Sequence, residues 1–181
     1  MATPKVTVIL VGAGPRVVVT IARSLAKQGV RCIVAVTPGQ KFSVRSRAID
    51  DVVYLEGPPA VAGAMLVQLV AHEGAAWVVP CTDGALVIVA QVYDELTRIT
   101  SVGCPRPEVV QRVLDKEQTL AAAVRCGVPV PASVSIDTAA DIEAAVTTLR
   151  FPIIAKPGDR GVESRHTFKT RAFSDVEELR A

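Results

Sequence analysis

Lys156 stands between the apolar run Ile153-Ile154-Ala155 and Pro157-Gly158, and a stretch with two glycines, Gly158-Asp159-Arg160-Gly161, follows it. Burying an unpaired ammonium is costly, so a lysine ending an apolar strand either snorkels to solvent or meets an anion. A second lysine, Lys116, follows Asp115 at the start of a helical pattern, where it either serves an anion or is simply solvated. A third feature is the turn Gly12-Ala13-Gly14-Pro15-Arg16-Val17, between a strand pattern and a helix pattern. Backbone N–H groups at such a turn can hold an anion, and the same turn is equally a tight strand-to-helix connection.

Other chemistry-bearing residues carry weaker signals. Asp83 lies just past the C-terminal end of a strand, where open α/β sheets bind ligands, and it is otherwise a helix N-cap. Cys81 beside it reads as a small buried residue rather than a nucleophile. Ser43, Arg45 and Arg47 could bind an acidic substrate or form a solvated loop. His72 and His166 are the only histidines; neither has a metal spacing, and His72 reads as a helix-end surface residue.

The glycine turn resembles the dinucleotide fingerprint but lacks two of its parts. Val17 occupies the place of the third glycine, and the second strand ends in Val36-Thr37 with no acid for a ribose hydroxyl. A nicotinamide cofactor is therefore not expected.

Composition narrows the class. The chain has 181 residues, half of them hydrophobic, which suits one domain and part of a second. Twenty basic and 18 acidic residues leave a net charge of +2, which makes no case for nucleic acid or a membrane surface. Cys32, Cys81, Cys104 and Cys126 are too scattered for a zinc or dithiol site. With no leader pattern they fit a reducing cytoplasm. The longest stretch free of charge and histidine, Gly57 to Ala71, is too short to span a bilayer.

The elements that must position these residues alternate. Strands are expected at Val6–Val11, Arg31–Val36, Val52–Leu55 and Ala76–Val79, and helices at Val17–Gln28, Ala60–His72 and Ala85–Arg98. This is a Rossmann-like α/β domain with a parallel sheet of at least four strands, over residues 1–105. The stretch Ser101 to Pro107 reads as a loop, and the boundary is placed there. Residues 106–181 then carry a helix or helix pair from Glu108 to Arg125 and a strand at Ser133–Ile136. A helix at Thr138–Leu149, with Asp137 as a candidate N-cap, and a strand at Phe151–Pro157 follow. Arg165–Thr170 is a candidate hairpin partner, and Ser174 with Glu177 reads as a capping box.

Three motifs in order carry a family resemblance. Leu114-Asp115-Lys116 opens a helix, Gly127-Val128-Pro129-Val130-Pro131 follows, and then Phe151-Pro152-Ile153-Ile154-Ala155-Lys156-Pro157-Gly158. This order resembles the ATP-grasp superfamily, nearest its carbamoyl-phosphate-synthase-like and amino-acid-ligase branches. Phe42-Ser43-Val44-Arg45-Ser46-Arg47 and Val79-Pro80-Cys81-Thr82-Asp83-Gly84 are similar to segments of that superfamily's pre-ATP-grasp domain.

The resemblance implies an ATP-dependent carboxylate–amine or carboxylate–thiol ligase working through an acyl phosphate. ATP and Mg²⁺ would be its cofactors, and a small carboxylate and an amine or thiol its substrates. It implies Lys116 at the phosphates, Lys156 at the α-phosphate or adenine, and Gly158 and Gly161 in a loop over them. Gly12, Gly14, Arg45 and Asp83 are candidate substrate contacts. Homo-oligomerisation stays open, as do a nucleotide-binding Rossmann protein and a non-catalytic binding module.

Two departures accompany the resemblance. Glu163 stands where the family carries a small residue, and a carboxylate there would repel triphosphate unless it faces outward or Arg160 and Arg165 offset it. The family's adenine hinge and metal-binding acids lie beyond a point corresponding to Ala181. The expectation is thus an expressed fragment or truncated gene product, which alone binds ATP weakly and hydrolyses none.

The incomplete fingerprint makes a direct prediction. Titrating the protein with NADH while following dinucleotide fluorescence should give no saturable binding at micromolar levels. Saturation there would favour the Rossmann cofactor reading.

Overall fold

A computed structural model describes residues 6–156 and 170–180. The chain divides into two compact units, Met1–Gln111 and Arg112–Ala181.

The first unit is built on β1 (Thr7–Val11), whose five residues are all buried. It pairs in parallel with β2 (Arg31–Val36) on one side and β4 (Trp77–Pro80) on the other. The edges are β3 (Asp51–Tyr54) beside β2 and β5 (Ser101–Val102) beside β4, giving the order β3-β2-β1-β4-β5. A strand covered on both faces is largely apolar, which is why β1 after Thr7 and β2 after Arg31 read as unbroken hydrophobic runs. Side chains alternate between two cores. Val8 and Leu10 join Val18 and Ala22 of α1 (Pro15–Ala26), while Ile9 and Val11 join Leu66 and Val70 of α2 (Pro59–Glu73).

The fold is the α/β parallel sheet expected from the alternation, with differences that have local causes. The helix expected over Ala85–Arg98 is two, α3 (Asp83–Gln91) and α4 (Tyr93–Thr97). The break is at Val92, whose φ of −118° and ψ of 22° leave the helical region. Buried Val92 packs there on Gly63 of α2, so closely that a Cβ on Gly63 would lie 2.7 Å from Val92 Cγ1. Part of the stretch read as a loop forms β5, fixed to β4 by Ser101 N–H to Ala76 O and Gly103 N–H to Val78 O. Two residues are too few to display a period.

In the second unit, α5 (Pro107–Leu114), which spans the division, is separated from α6 (Lys116–Arg125) by Asp115. The Asp115 carboxylate accepts Gln118 N–H at 3.0 Å and Gln118 Nε2 at 2.7 Å, and these bonds hold its pKa below the usual carboxylate range. The strand expected at Ser133–Ile136 does not form. Its alternation is right, but it pairs with no strand among the described residues, and Ser135 instead bonds Glu117. The cap of α7 (Ala139–Thr148) is Thr138 rather than Asp137, because the Asp141 carboxylate gathers the N–H groups of both and the Thr138 hydroxyl.

The last strand pair is β6 (Ile153–Ala155) and β7 (Arg171–Phe173), antiparallel, so the partner strand lies just beyond the expected Arg165–Thr170. Residues 165–169 are outside the described residues. For α8 (Val176–Arg180), Asp175 takes the Glu178 N–H and Glu178 takes the Ser174 N–H. The reciprocal cap expected of Ser174 and Glu177 is thus made by Asp175 and Glu178. Arg180 grips Glu143 of α7 through two hydrogen bonds of 2.8 and 2.5 Å. No described helix is long and apolar enough to cross a membrane.

The contact between Gly63 and Val92 is testable. Gly63→Val should cost about 1–3 kcal/mol by overpacking, whereas Ala64→Val on the exposed side of the same helix should cost under about 1 kcal/mol. Chemical denaturation of the two variants measures the difference.

Candidate functional site

Strand order reverses at β1, because its neighbours β2 and β4 are reached by connections running to opposite sides. The turns after β1 and β4 therefore lie side by side at the C-terminal edge of the sheet, the usual ligand crevice of open α/β folds. Gly12 has φ +135°, and a Cβ there would meet Thr82 Cγ2 at 3.1 Å and Thr82 Oγ1 at 3.2 Å. Its N–H donates to Ala35 O at 2.8 Å, and Cys81 N–H donates to Val11 O at 2.8 Å. Gly12 thus meets both a backbone and a packing requirement, and its N–H is already engaged. Pro15, the first residue of α1, has no N–H to offer.

Asp83 is placed beside this turn, but not as a cap. Thr82 is the N-cap of α3, its hydroxyl accepting Ala85 N–H at 3.2 Å, and Asp83 is the first helical residue. The signal for Thr82 was present in the sequence as a threonine immediately before the helix start, a preferred N-cap type. Gly12, Gly14, Thr82 and Asp83 are therefore gathered at one point. Cys81 is part of the same turn, and burial pushes its thiol up to about 11. At neutral pH it is a neutral thiol directed to Val79 O, unsuited to nucleophilic attack. His72 is exposed near the end of α2.

Arg45 is elsewhere. It lines a shallow recess of about 340 Å³ at the start of β3, with Asp50 and Asp51 but none of the switch-point residues. Ser43 and Arg47 are exposed in the same connection.

The second unit carries the two lysines. Lys116 is the first residue of α6 and half-buried. A cation at a helix N-terminus opposes the helix dipole by about 0.3–1 kcal/mol, and Asp115 and Glu117 flank it. Lys156 is exposed just past β6. Strand alternation puts Ile153 on the side of buried Phe173, whose ring lies 4.9 Å from the Arg171 guanidinium carbon, and Ile154 and Lys156 on the other side. Ile154 is 64% exposed, so this face joins open apolar surface to a cation. Gly158 and Gly161, with Arg160, Glu163, Arg165 and His166, lie outside the described residues. Among the described residues no three His, Cys, Asp or Glu side chains converge as metal ligands.

Comparison with known proteins places the fold. No family model matches the chain, and no curated protein matches it by sequence. Solved structures do. L-amino acid ligase from Bacillus licheniformis superposes with a TM-score of 0.73 at 15% identity, over 99% of this chain and 41% of the ligase. N5-carboxyaminoimidazole synthetase from Staphylococcus aureus, complexed with ADP, gives 0.64 at 16%, over 99% of this chain and 44% of the synthetase. The biotin carboxylase domain of Hydrogenobacter thermophilus 2-oxoglutarate carboxylase, solved with MgADP and bicarbonate, gives 0.62 at 17%, over 94% and 38%. These are ATP-grasp enzymes, and the chain has the fold of their N-terminal domains. It spans less than half the length of each.

The glycine turn generates a paired prediction. Gly12→Ala should lose about 1–3 kcal/mol through its left-handed backbone and its contact with Thr82. Gly14 has φ −71° and caps α1, so Gly14→Ser should stay within about 0.5 kcal/mol of the parent. Thermal or urea unfolding of the two variants compares them.

Proposed function

We propose that this chain contributes to an ATP-dependent ligase that joins a small carboxylate to an amine or a thiol. In this reading residues 1–105 are the pre-ATP-grasp domain and 106–181 the first part of the nucleotide-binding module. The observation that carries it is the pairing of two features. The fold is shared with L-amino acid ligase over 99% of the chain. Its second unit presents a lysine beside exposed apolar surface, at Lys156 and Ile154.

The chemistry runs in two steps. A carboxylate oxygen attacks the γ-phosphorus of ATP, the bond to the β-phosphate oxygen breaks, and ADP leaves. The amine or thiolate then attacks the acyl carbon, and inorganic phosphate leaves with the carboxylate oxygen. Charge accumulates on phosphate oxygens in the first step, so fixed cations supply most of the help. Lys156 contacts the α-phosphate or the adenine edge, with Ile154 offering apolar surface to the base. Lys116 approaches the phosphates from α6, and Gly158 and Gly161 give the loop after Lys156 its close approach. Mg²⁺, as in the MgADP complex of the carboxylase neighbour, would neutralise phosphate charge when bound. On the substrate side, Gly12, Gly14 and Asp83 form the crevice at β1 and β4, and Arg45 is the candidate for an acidic group.

In the protein that carries these residues, Lys156→Ala should raise the KM for ATP at least about tenfold, a loss of roughly 1.4 kcal/mol. Lys156→Arg should recover part of it by keeping the charge. Steady-state ADP release in the presence of carboxylate and nucleophile is the assay, and an unchanged KM in Lys156→Ala would remove the lysine from the site.

A further inference from the structure

Helices are ordinarily oriented by an apolar face packed on a core. No side chain of α6 is fully buried, and on α5 only Val110 is. Core packing alone therefore does not fix the direction in which α6 leaves α5. Polar contacts at its first turn add to it. The Asp115 carboxylate accepts Gln118 N–H at 3.0 Å and Gln118 Nε2 at 2.7 Å, and Ser135 bonds Glu117. The Thr119 hydroxyl lies 2.9 Å from Arg112 O and 2.9 Å from Asp115 O.

These contacts are not equivalent. The Asp115 bonds close within the first turn of α6, and the Ser135 contact reaches a later stretch of chain. Thr119 reaches back to the preceding helix. Asp115, at φ −86° and ψ 114°, is the one residue between the two helices. The last four carbonyls of a helix find no partner inside it, and Arg112 O is one of these. A helical threonine often donates to the carbonyl four residues back, here Asp115 O. A bond to Arg112 O, seven residues back in another helix, is outside that local habit. The hydroxyl has one proton to share between the two carbonyls, so a swing of α6 away from α5 loses the Arg112 contact. Lys116 stands three residues before Thr119, one turn away on the same side of α6.

We infer, on the phosphate-contacting role proposed above for Lys116, that Thr119 is a positioning residue: its hydroxyl ties the start of α6 to the end of α5 and so fixes where Lys116 is presented. Thr119 acts through Lys116 and not by touching the nucleotide. It is exposed, so water replaces its hydrogen bonds when the hydroxyl is removed. The loss then appears in the placement of Lys116 rather than in the stability of the fold.

Thr119→Val keeps the branched shape and removes the hydroxyl, whereas Thr119→Ser keeps the hydroxyl. In the protein that carries these residues, steady-state ADP release with carboxylate and nucleophile present gives the ATP KM and kcat of each variant. Thr119→Val should raise KM about three- to tenfold and leave kcat within about twofold, the pattern of lost uniform binding. Thr119→Ser should keep KM within about twofold of the parent. Lys116→Ala should raise KM at least about tenfold. Adding Thr119→Val to it should change nothing further, because residues that act as one unit are not additive. The thermal midpoint of Thr119→Val should stay within about 3 °C of the parent. An unchanged KM in Lys116→Ala would remove the nucleotide role of Lys116, and the role of Thr119 with it. A raised KM in Lys116→Ala with none in Thr119→Val, or an equal Thr119→Val effect without Lys116, would overturn the role of Thr119 alone. So would collapse of the fold in Thr119→Val, because the hydroxyl would then serve stability.

Discussion

Burial of β1 on both faces is the constraint on which the first unit depends. This five-residue strand has no exposed position and is apolar after Thr7, and its neighbours are parallel strands reached by helical crossovers. Because those crossovers leave in opposite directions, the turns after β1 and β4 are forced together. Gly12 is then confined twice, by its φ of +135° and by Thr82 within 3.2 Å. The glycine that looks like a ligand-binding signature in the sequence is first a requirement of sheet geometry. Any substrate contact at this crevice is built on that packing, with Asp83 placed by the Thr82 cap rather than acting as the cap itself.

The second unit is organised differently. Its helices are held by local polar devices: the Asp115 cap, the Asp141 cap and the Arg180–Glu143 clamp. Among the described residues α6 buries no side chain, and Val113, Val124, Val128 and Ile154 are all exposed. The first unit closes its own core, while the second displays a face on which Ile154 and Lys156 project together.

What could be read in advance follows from how many residues announce each feature. β1, β2, α1 and α2 are long enough for their apolar residues and bounding turns to mark them, and they stand within two residues of the expected limits. β5 has two residues and arises from pairing with β4, which no local pattern records. Ser133–Ile136 shows the converse, an alternation without a partner strand. The split between α3 and α4 depends on Val92 meeting Gly63, a contact made across 29 positions of sequence. For the candidate site, the lysines and glycines stood out by type and spacing. The separation of Arg45 from the β1–β4 crevice did not, because the connection after β2 carries no periodic signal.

In the proposed function nucleotide meets the second unit at Lys156, and the parallel sheet is left for other ligands. Photolabelling of the protein with 8-azido-ATP, followed by mass spectrometry of the modified peptides, tests that directly. Label should fall in the peptides around Ile154–Lys156 and Lys116 and be displaced by excess ATP. Displaceable label at Gly12–Arg16 instead would put the nucleotide on the sheet crevice and contradict the account.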